Sequence, residues 1–461
     1  VSLPLMATTK TAQDTARAVN AILDHVDAAT EAESRRIALR DLRRISAVRG
    51  LATQAIRRRA WPVLLGCTTS FDTPSSSAAS TAPSQPPPKD RQPHRDSRVV
   101  ECDVARSLVH FSDVAYSGDE ELAERRRQLT WILDSCCEEH VDDVYYYQGL
   151  HDIAGVLLLV VEDAKLAKRL LTRLCLHHLR DCTRPALDDV LDALQLVPAL
   201  LRRHDPQLAE ALADAEVPPH FALSWLLTWF SHGCATLAEA ARLFDLLLGG
   251  HPLMPLYVGV VAMSQPACRR RLLECKASAQ ADDPDFWQSQ AMAHMHKALT
   301  SLAIPGSTGA DTLARLAFAL YKRHPPEKLD GYRTFIGPLA AARLFPFEGR
   351  WRDATPVAEQ RRYAALRARR QKTGHWNGLE PRWLTWLASA ARKPGAPLAL
   401  TGAAALGVWL VVPSRVDSGG GGGAAASKRW AAAGWAIIGA AVAVGTAAMT
   451  FSDDFTFDFD L

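Results

Sequence analysis

The stretch Tyr146-Tyr147-Gln148-Gly149-Leu150-His151-Asp152-Ile153-Ala154-Gly155-Val156-Leu157-Leu158-Leu159-Val160-Val161 joins a polar turn to an unbroken apolar run. The run from Ile153 to Val161 is too short to cross a bilayer and stops at Glu162-Asp163, so it reads as a helix buried on all sides in a protein core. Gly149, just ahead of it, lets the backbone approach another element closely, and Gln148 beside it can be held outward as a rigid amide. A helix buried all round needs other helices to bury it.

Those helices are legible outward from it. Upstream, residues 121–140 carry Leu122, Leu129, Ile132 and Leu133 as an apolar stripe, and residues 97–110 have helical patterning. Downstream, helices are expected around 221–230, 237–248, 255–263, 291–302 and 312–322. No stretch sustains a period of two, so the fold class is all-α, with a folded core over 32–347. Residues 1–31 read as an N-terminal tail. Residues 68–97, rich in Ser, Thr, Pro and Ala, hold too few large apolar groups to offset their ordering entropy and read as a disordered insertion.

The chain changes character beyond the core. A basic linker over 348–396 includes Arg361, Arg362, Arg367, Arg369, Arg370 and Lys372, a run equally readable as facing an anionic membrane or as a solvated helix. An apolar segment at 397–413 is a membrane or interfacial segment. After a glycine and alanine linker, 430–450 is long and uncharged enough for a C-terminal transmembrane helix. Lys428 and Arg429 precede it and the only charged residues beyond it are acidic, which puts the bulk of the chain on the cytosolic side.

Composition excludes more than it assigns. The chain has 461 residues, with 53 Lys and Arg against 50 Asp and Glu, so no overall field marks it for nucleic acid. Its nine cysteines lack a Cys-x-x-Cys pair and suit a reducing compartment. Phosphate-loop, dinucleotide-binding, zinc-protease and serine-hydrolase signatures are absent from the sequence. Cys175, His177, His178 and Cys182 fit no common zinc spacing and read as buried thiols and helix-surface histidines, and no metal site is expected.

Two polar patterns remain. Asp103 and Arg106 are three residues apart, a spacing that puts both on one helix face and lets the carboxylate orient the guanidinium. Tyr146-Tyr147-Gln148-Gly149 forms the turn described above. Each has a plain alternative, a surface ion pair in the first case and a helix-start hydrogen bonder in the second.

In order along the chain, Arg57-x-x-x-Trp61-Pro62-x-Leu64-Leu65, Val100-x-x-Asp103-x-x-Arg106 and Tyr146-x-Gln148-Gly149 resemble the motifs of the TBC family of Rab GTPase-activating proteins. The resemblance covers 32–347, and the segments 147–153, 229–232 and 251–255 are most similar to the family's ER-anchored branch. Val100 stands where the family has Ile, and His151 where many members have Asn; the insertion at 68–97 is unusual. The resemblance implies a multi-helix domain that supplies Arg106 and Gln148 as catalytic fingers, with Asp103, Tyr146, Gly149, His151 and Asp152 in support. It further implies a Rab-family GTPase as partner, GTP and Mg bound by that partner and no cofactor of its own. ER or Golgi membranes are the implied location, with the domain facing the cytosol and acting in ER-to-Golgi trafficking. The alternatives are a catalytically silent scaffold that binds GTPases and a protein that only shapes the membrane.

Overall fold

The computed structural model describes residues 3–28, 31–67, 94–282, 284, 287–302 and 306–345. The chain divides into units Val1–Ala365 and Leu366–Leu461, and the second lies wholly outside the described residues. The linker at 348–396, the segment at 397–413 and the transmembrane helix expected at 430–450 are therefore outside them, as are residues 68–93 of the insertion. Among the described residues no helix is long and apolar enough to cross a membrane.

The described residues form helices and short 3-10 turns, with no strand among them. In chain order the helices are α1 (Leu3–Ala28), α2 (Ala32–Arg49), α3 (Gln54–Leu64), α4 (Ser97–Ala105), α5 (Asp119–Glu139) and α6 (Leu150–Val161). Next come α7 (Ala164–Leu176), α8 (Asp188–Leu194), α9 (Val197–His204), α10 (Pro206–Asp214), α11 (Leu223–Thr228) and α12 (Leu237–Leu247). The last are α13 (Met254–Met263), α14 (Pro266–Asp282), α15 (Trp287–Thr300), α16 (Gly306–Arg323), α17 (Tyr332–Phe335) and α18 (Ala341–Leu344).

The apolar run is the centre. Every residue of α6 except Asp152 is buried, and the helix packs on α3, α5, α7, α11 and α12. Each fully buried leucine there stabilises the fold by about 1.5–3 kcal/mol relative to exposure. The second buried helix, α13, touches α11 so closely that a Cβ on Gly259 would lie 2.1 Å from the indole of Trp225. Only glycine fits there.

A carboxylate ties the first helices to this core. Asp245 on α12 is fully buried and accepts from the Leu51 N–H at 2.9 Å, from Arg57 at 2.9 Å and from Trp61 Nε1 at 2.9 Å. Arg57 and Trp61 lie four residues apart on α3, one helical turn, which brings both donors to the same acid. One turn earlier on α12, Arg242 donates to Ser46 O and Ala47 O, satisfying the last carbonyls of α2, and pairs with Asp311 on α16 at 2.9 Å.

Four sequence readings need revision. Residues 1–31 contain α1, whose Val19, Leu23 and Val26 are buried and which packs on α2 and α3, so the segment is not simply a tail. Residues 94–97, at the end of the insertion expected to be disordered, are ordered: His94 pairs with Asp134 at 2.8 Å, and Ser97 opens α4. The helix expected over 97–110 stops at Ala105, because Leu108 takes a left-handed φ of 73° and turns the chain. His177 and His178 are buried rather than on a helix surface.

The Asp245 junction yields a stability prediction. Asp245→Ala strands Arg57, Trp61 Nε1 and the Leu51 N–H together, and should cost about 3–5 kcal/mol in chemical denaturation. Trp61→Phe removes one donor alone and should cost less than Asp245→Ala. Equal and small effects from both would mean that the junction contributes little.

Candidate functional site

Asp103 organises the site. Its position on α4 buries it to 3% exposure, and its two oxygens face different groups. Oδ1 receives Arg106 at 2.5 Å; Oδ2 receives the Tyr146 hydroxyl at 2.7 Å. The carboxylate thus joins the end of α4 to the turn ahead of α6. Burial and the neighbouring charge of Asp103 push the Tyr146 phenol well above its usual pKa, so it stays protonated and donates.

Arg106 is the residue just past α4, and its side chain is 60% exposed. Ser107 closes the helix end behind it by donating its hydroxyl to Asp103 O at 2.6 Å, and Arg126 on α5 donates to Ser107 O. The guanidinium is therefore anchored at one corner and open to solvent elsewhere. Arg106 can turn to another anion by giving up its bond to Asp103 Oδ1, while Oδ2 keeps the Tyr146 hydroxyl.

Gln148 is exposed, and its amide makes no hydrogen bond among the described residues. Everything around it is fixed. Tyr147 donates to Leu227 O at 3.0 Å, Tyr145 N–H donates to Thr183 O at 2.9 Å, and Tyr146 N–H donates to Asp96 Oδ2 at 3.2 Å. Gly149 has φ 111°, and a Cβ there would lie 2.9 Å from Thr228 Cγ2, so a glycine is needed both for conformation and for space. The Gln148 amide is presented by a turn that is tied on both sides.

His151 and Asp152, on the first turn of α6, back this arrangement. His151 Nδ1 lies 3.0 Å from the Tyr146 hydroxyl, and its Nε2 lies 3.4 Å from Asp152 Oδ1. The other oxygen of Asp152 is 4.0 Å from His232 Nδ1. All seven residues singled out in the sequence meet in this region: Asp103 contacts Arg106 and Tyr146, and Tyr146 leads through the Gln148 turn to Gly149, His151 and Asp152.

Three residues were missed. Arg95 lies flat over the Tyr145 ring, 3.5 Å from its centroid, and donates to Val141 O and Val144 O, while Asp96 takes Tyr146 N–H. They clamp the Gln148 turn from the side, and His94 braces them by accepting Asp96 N–H on Nδ1 and pairing with Asp134 on α5 through Nε2. The available signal was the charged triplet His94-Arg95-Asp96, an abrupt change after proline-rich sequence and just before a helix start.

The turn makes a testable prediction. Gly149→Ala should cost about 1–3 kcal/mol through strain at positive φ and contact with Thr228. Thr228→Ala in the same chain should recover only the contact part, as read in paired denaturation curves. Full recovery would show that backbone conformation at Gly149 is unimportant.

The same part of the chain is similar to known proteins. Residues 54–267, which include Arg57, Asp103, Arg106 and the Gln148 turn, match the Rab-GTPase-TBC domain. TBC1 domain family member 20 of Bos taurus and that of Homo sapiens are each 32% identical over 280 residues, which is 61% of this chain and 62% of the relative. GTPase-activating protein gyp10 of Schizosaccharomyces pombe is 29% identical over 296 residues, 64% of this chain and 71% of the relative. The chain thus spans less than two thirds of the mammalian relatives. Among solved structures, the flagellar RabGAP TBC domain of Chlamydomonas matches 69% of this chain and 96% of its own at 14% identity and TM-score 0.38, too slight a likeness to argue from. The chain carries, across residues 54–267, a domain of the Rab-GTPase-TBC family.

Proposed function

We propose that this protein accelerates GTP hydrolysis by a Rab-family GTPase, with Arg106 and Gln148 acting in trans on nucleotide bound by the partner. The observation that carries the proposal is the Asp103 carboxylate, which holds Arg106 on one oxygen and the Gln148 turn, through Tyr146, on the other. A guanidinium and a free amide are thereby presented together on the surface of one domain. The domain family and the name of the yeast relative support the same reading.

The chemistry follows from what each group can offer. Hydrolysis develops negative charge on the oxygens around the transferred phosphoryl group, and a guanidinium entering that site stabilises it more in the transition state than in the ground state. Gln148, with both an acceptor and a donor, can hold the attacking water in line while donating to phosphate. Asp103 and Tyr146 do not touch the nucleotide; they hold the two side chains that do. GTP and Mg belong to the partner, and the chain needs no cofactor of its own for this role.

We further propose that residues 430–450 anchor the protein in ER or Golgi membranes, with the domain on the cytosolic side and a role in ER-to-Golgi traffic. The uncharged stretch and the Lys428-Arg429 flank support this.

Single-turnover GTP hydrolysis by a panel of purified Rab proteins, with wild type, Arg106→Ala and Gln148→Ala, tests the catalytic reading. At saturating protein, Arg106→Ala should lower the stimulated rate by about 10³–10⁵-fold, while binding to the GTP-loaded partner weakens far less. Gln148→Ala should also abolish most stimulation. Binding without stimulation by the wild-type protein would leave a silent scaffold; stimulation surviving both substitutions would remove these residues from the mechanism.

A further inference from the structure

The link between α5 and α6, residues 140–149, forms no helix, and Gln148 stands near its end. Tyr146 and Tyr147 tie the link down through their hydroxyls, to Asp103 and to Leu227 O. Both bonds are made at the far end of a ring, so the backbone behind each ring can still swing about that end. Fixing where Gln148 stands takes bonds to the main chain itself.

Arg95 and Asp96 make those bonds. Arg95 donates from its two terminal nitrogens to Val141 O at 2.6 Å and to Val144 O at 2.7 Å, and its guanidinium lies 3.5 Å from the centroid of the Tyr145 ring. Its Nε–H goes to Asp96 Oδ2 at 3.2 Å, the same oxygen that accepts Tyr146 N–H at 3.2 Å. Between those two points, Tyr145 N–H donates to Thr183 O at 2.9 Å. Backbone groups of three successive residues, 144 to 146, thus have three different partners, and the chain cannot slip by a residue without breaking all three bonds.

The clamp is itself anchored on two helices. His94 accepts Asp96 N–H on Nδ1 at 3.1 Å and pairs through Nε2 with Asp134 on α5, while Asp96 O accepts the N–H groups of Val99 and Val100 in the first turn of α4. Arg95 uses both terminal nitrogens, Nε and the flat face of the guanidinium at once. A lysine in its place keeps the charge but has neither the planar fork to bridge two carbonyls nor a face to stack.

We propose that Arg95 is a positioning residue for Gln148: with Asp96 it fixes the main chain at 144–146, and thereby where the Gln148 amide stands relative to Arg106. It touches neither the nucleotide nor the attacking water. Asp103 meets the same stretch through the Tyr146 hydroxyl and holds Arg106 on its other oxygen, so a shift of the main chain there changes the separation of amide and guanidinium. A misplacement of about 1 Å in a group that aligns reactants costs up to about 100-fold in rate. The effect on hydrolysis rests on the proposed GTPase-activating function; the hold on the main chain does not.

Two measurements on the full chain test it, both with Arg95→Lys. Amide hydrogen exchange read by mass spectrometry should be faster by about tenfold in peptides spanning 141–149 and unchanged in those spanning 150–161. Wild-type exchange at 141–149, or the same acceleration in both sets, overturns the proposal. In single turnover against a stimulated Rab protein, the rate at saturating protein should fall by about tenfold while the half-saturating concentration stays within about twofold of wild type. A wild-type rate overturns the proposal, and so does a loss confined to the half-saturating concentration, which would make Arg95 a contact for the partner. If no Rab protein is stimulated, the function reading fails and exchange alone decides whether Arg95 holds the turn. Should Arg95→Lys not fold, Tyr145→Leu removes only the stacked ring and should raise exchange in the same peptides by about threefold; wild-type exchange there counts against the proposal.

Discussion

A carboxylate with no access to water holds the front of this fold together. Burying Asp245 costs several kcal/mol unless its lone pairs are filled, and the protein fills them with a guanidinium, an indole N–H and a backbone N–H from the α2–α3 junction. That requirement explains why Arg57 and Trp61 are one helical turn apart. It also fixes how α3 docks on α12, and hence where α6, packed against both, can lie. The ring of Trp61 continues the contact into Phe244, 6.0 Å away between centroids, and Phe244 into Trp229 at 5.4 Å. Polar satisfaction and aromatic packing occur at one place, so neither can shift without the other.

Asp103 repeats the device with a different outcome. It too is buried and fully engaged, but one of its donors, Arg106, reaches it from solvent. At Asp245 nearly all the donors are buried and the junction is static. At Asp103 the inner donor, Tyr146, is locked while the outer one can exchange its partner for another anion. The same chemistry therefore serves as a structural clamp in one location and as an oriented but available cation in the other. What distinguishes them is the depth of the arginine: 13% side-chain exposure for Arg57 and 60% for Arg106.

How much of this was legible beforehand divides along the range of the interactions. The buried helix α6, the stripe of α5 and the spacing of Asp103 and Arg106 are local patterns, and each appears in the structure within a few residues of its expected place. The Asp103–Tyr146 bond spans 43 residues and the Arg57–Asp245 pair 188, and nothing in the local sequence announces them. The break of the expected helix at 221–230 is also invisible locally. Trp229 and Phe230 take left-handed φ values of 51° and 63°, conformations that bulky residues adopt only when their surroundings impose them. The burial of both rings in the core supplies that imposition. The triplet 94–96 escapes sequence reading for the opposite reason, since its composition resembles the end of a polar insertion while its contacts reach α5, α4, Val141, Val144 and the Gln148 turn.

That strained segment bears on the site itself. Because α11 ends at Thr228 and the chain reverses through Trp229 and Phe230, Leu227 O is left outside the helical ladder and free to accept Tyr147, while Thr228 closes over Gly149. A continued helix would engage that carbonyl internally and remove the anchor. The cost of two left-handed aromatic residues is thus coupled to the rigidity of the Gln148 turn: strain at the end of α11, carried by buried tryptophan and phenylalanine rings, fixes Tyr147 and Gly149 on either side of the exposed Gln148 amide. A backbone held this way has little further entropy to lose when the site engages a ligand, so that only the rotamers of the Gln148 side chain remain to be ordered for its amide to position a water molecule.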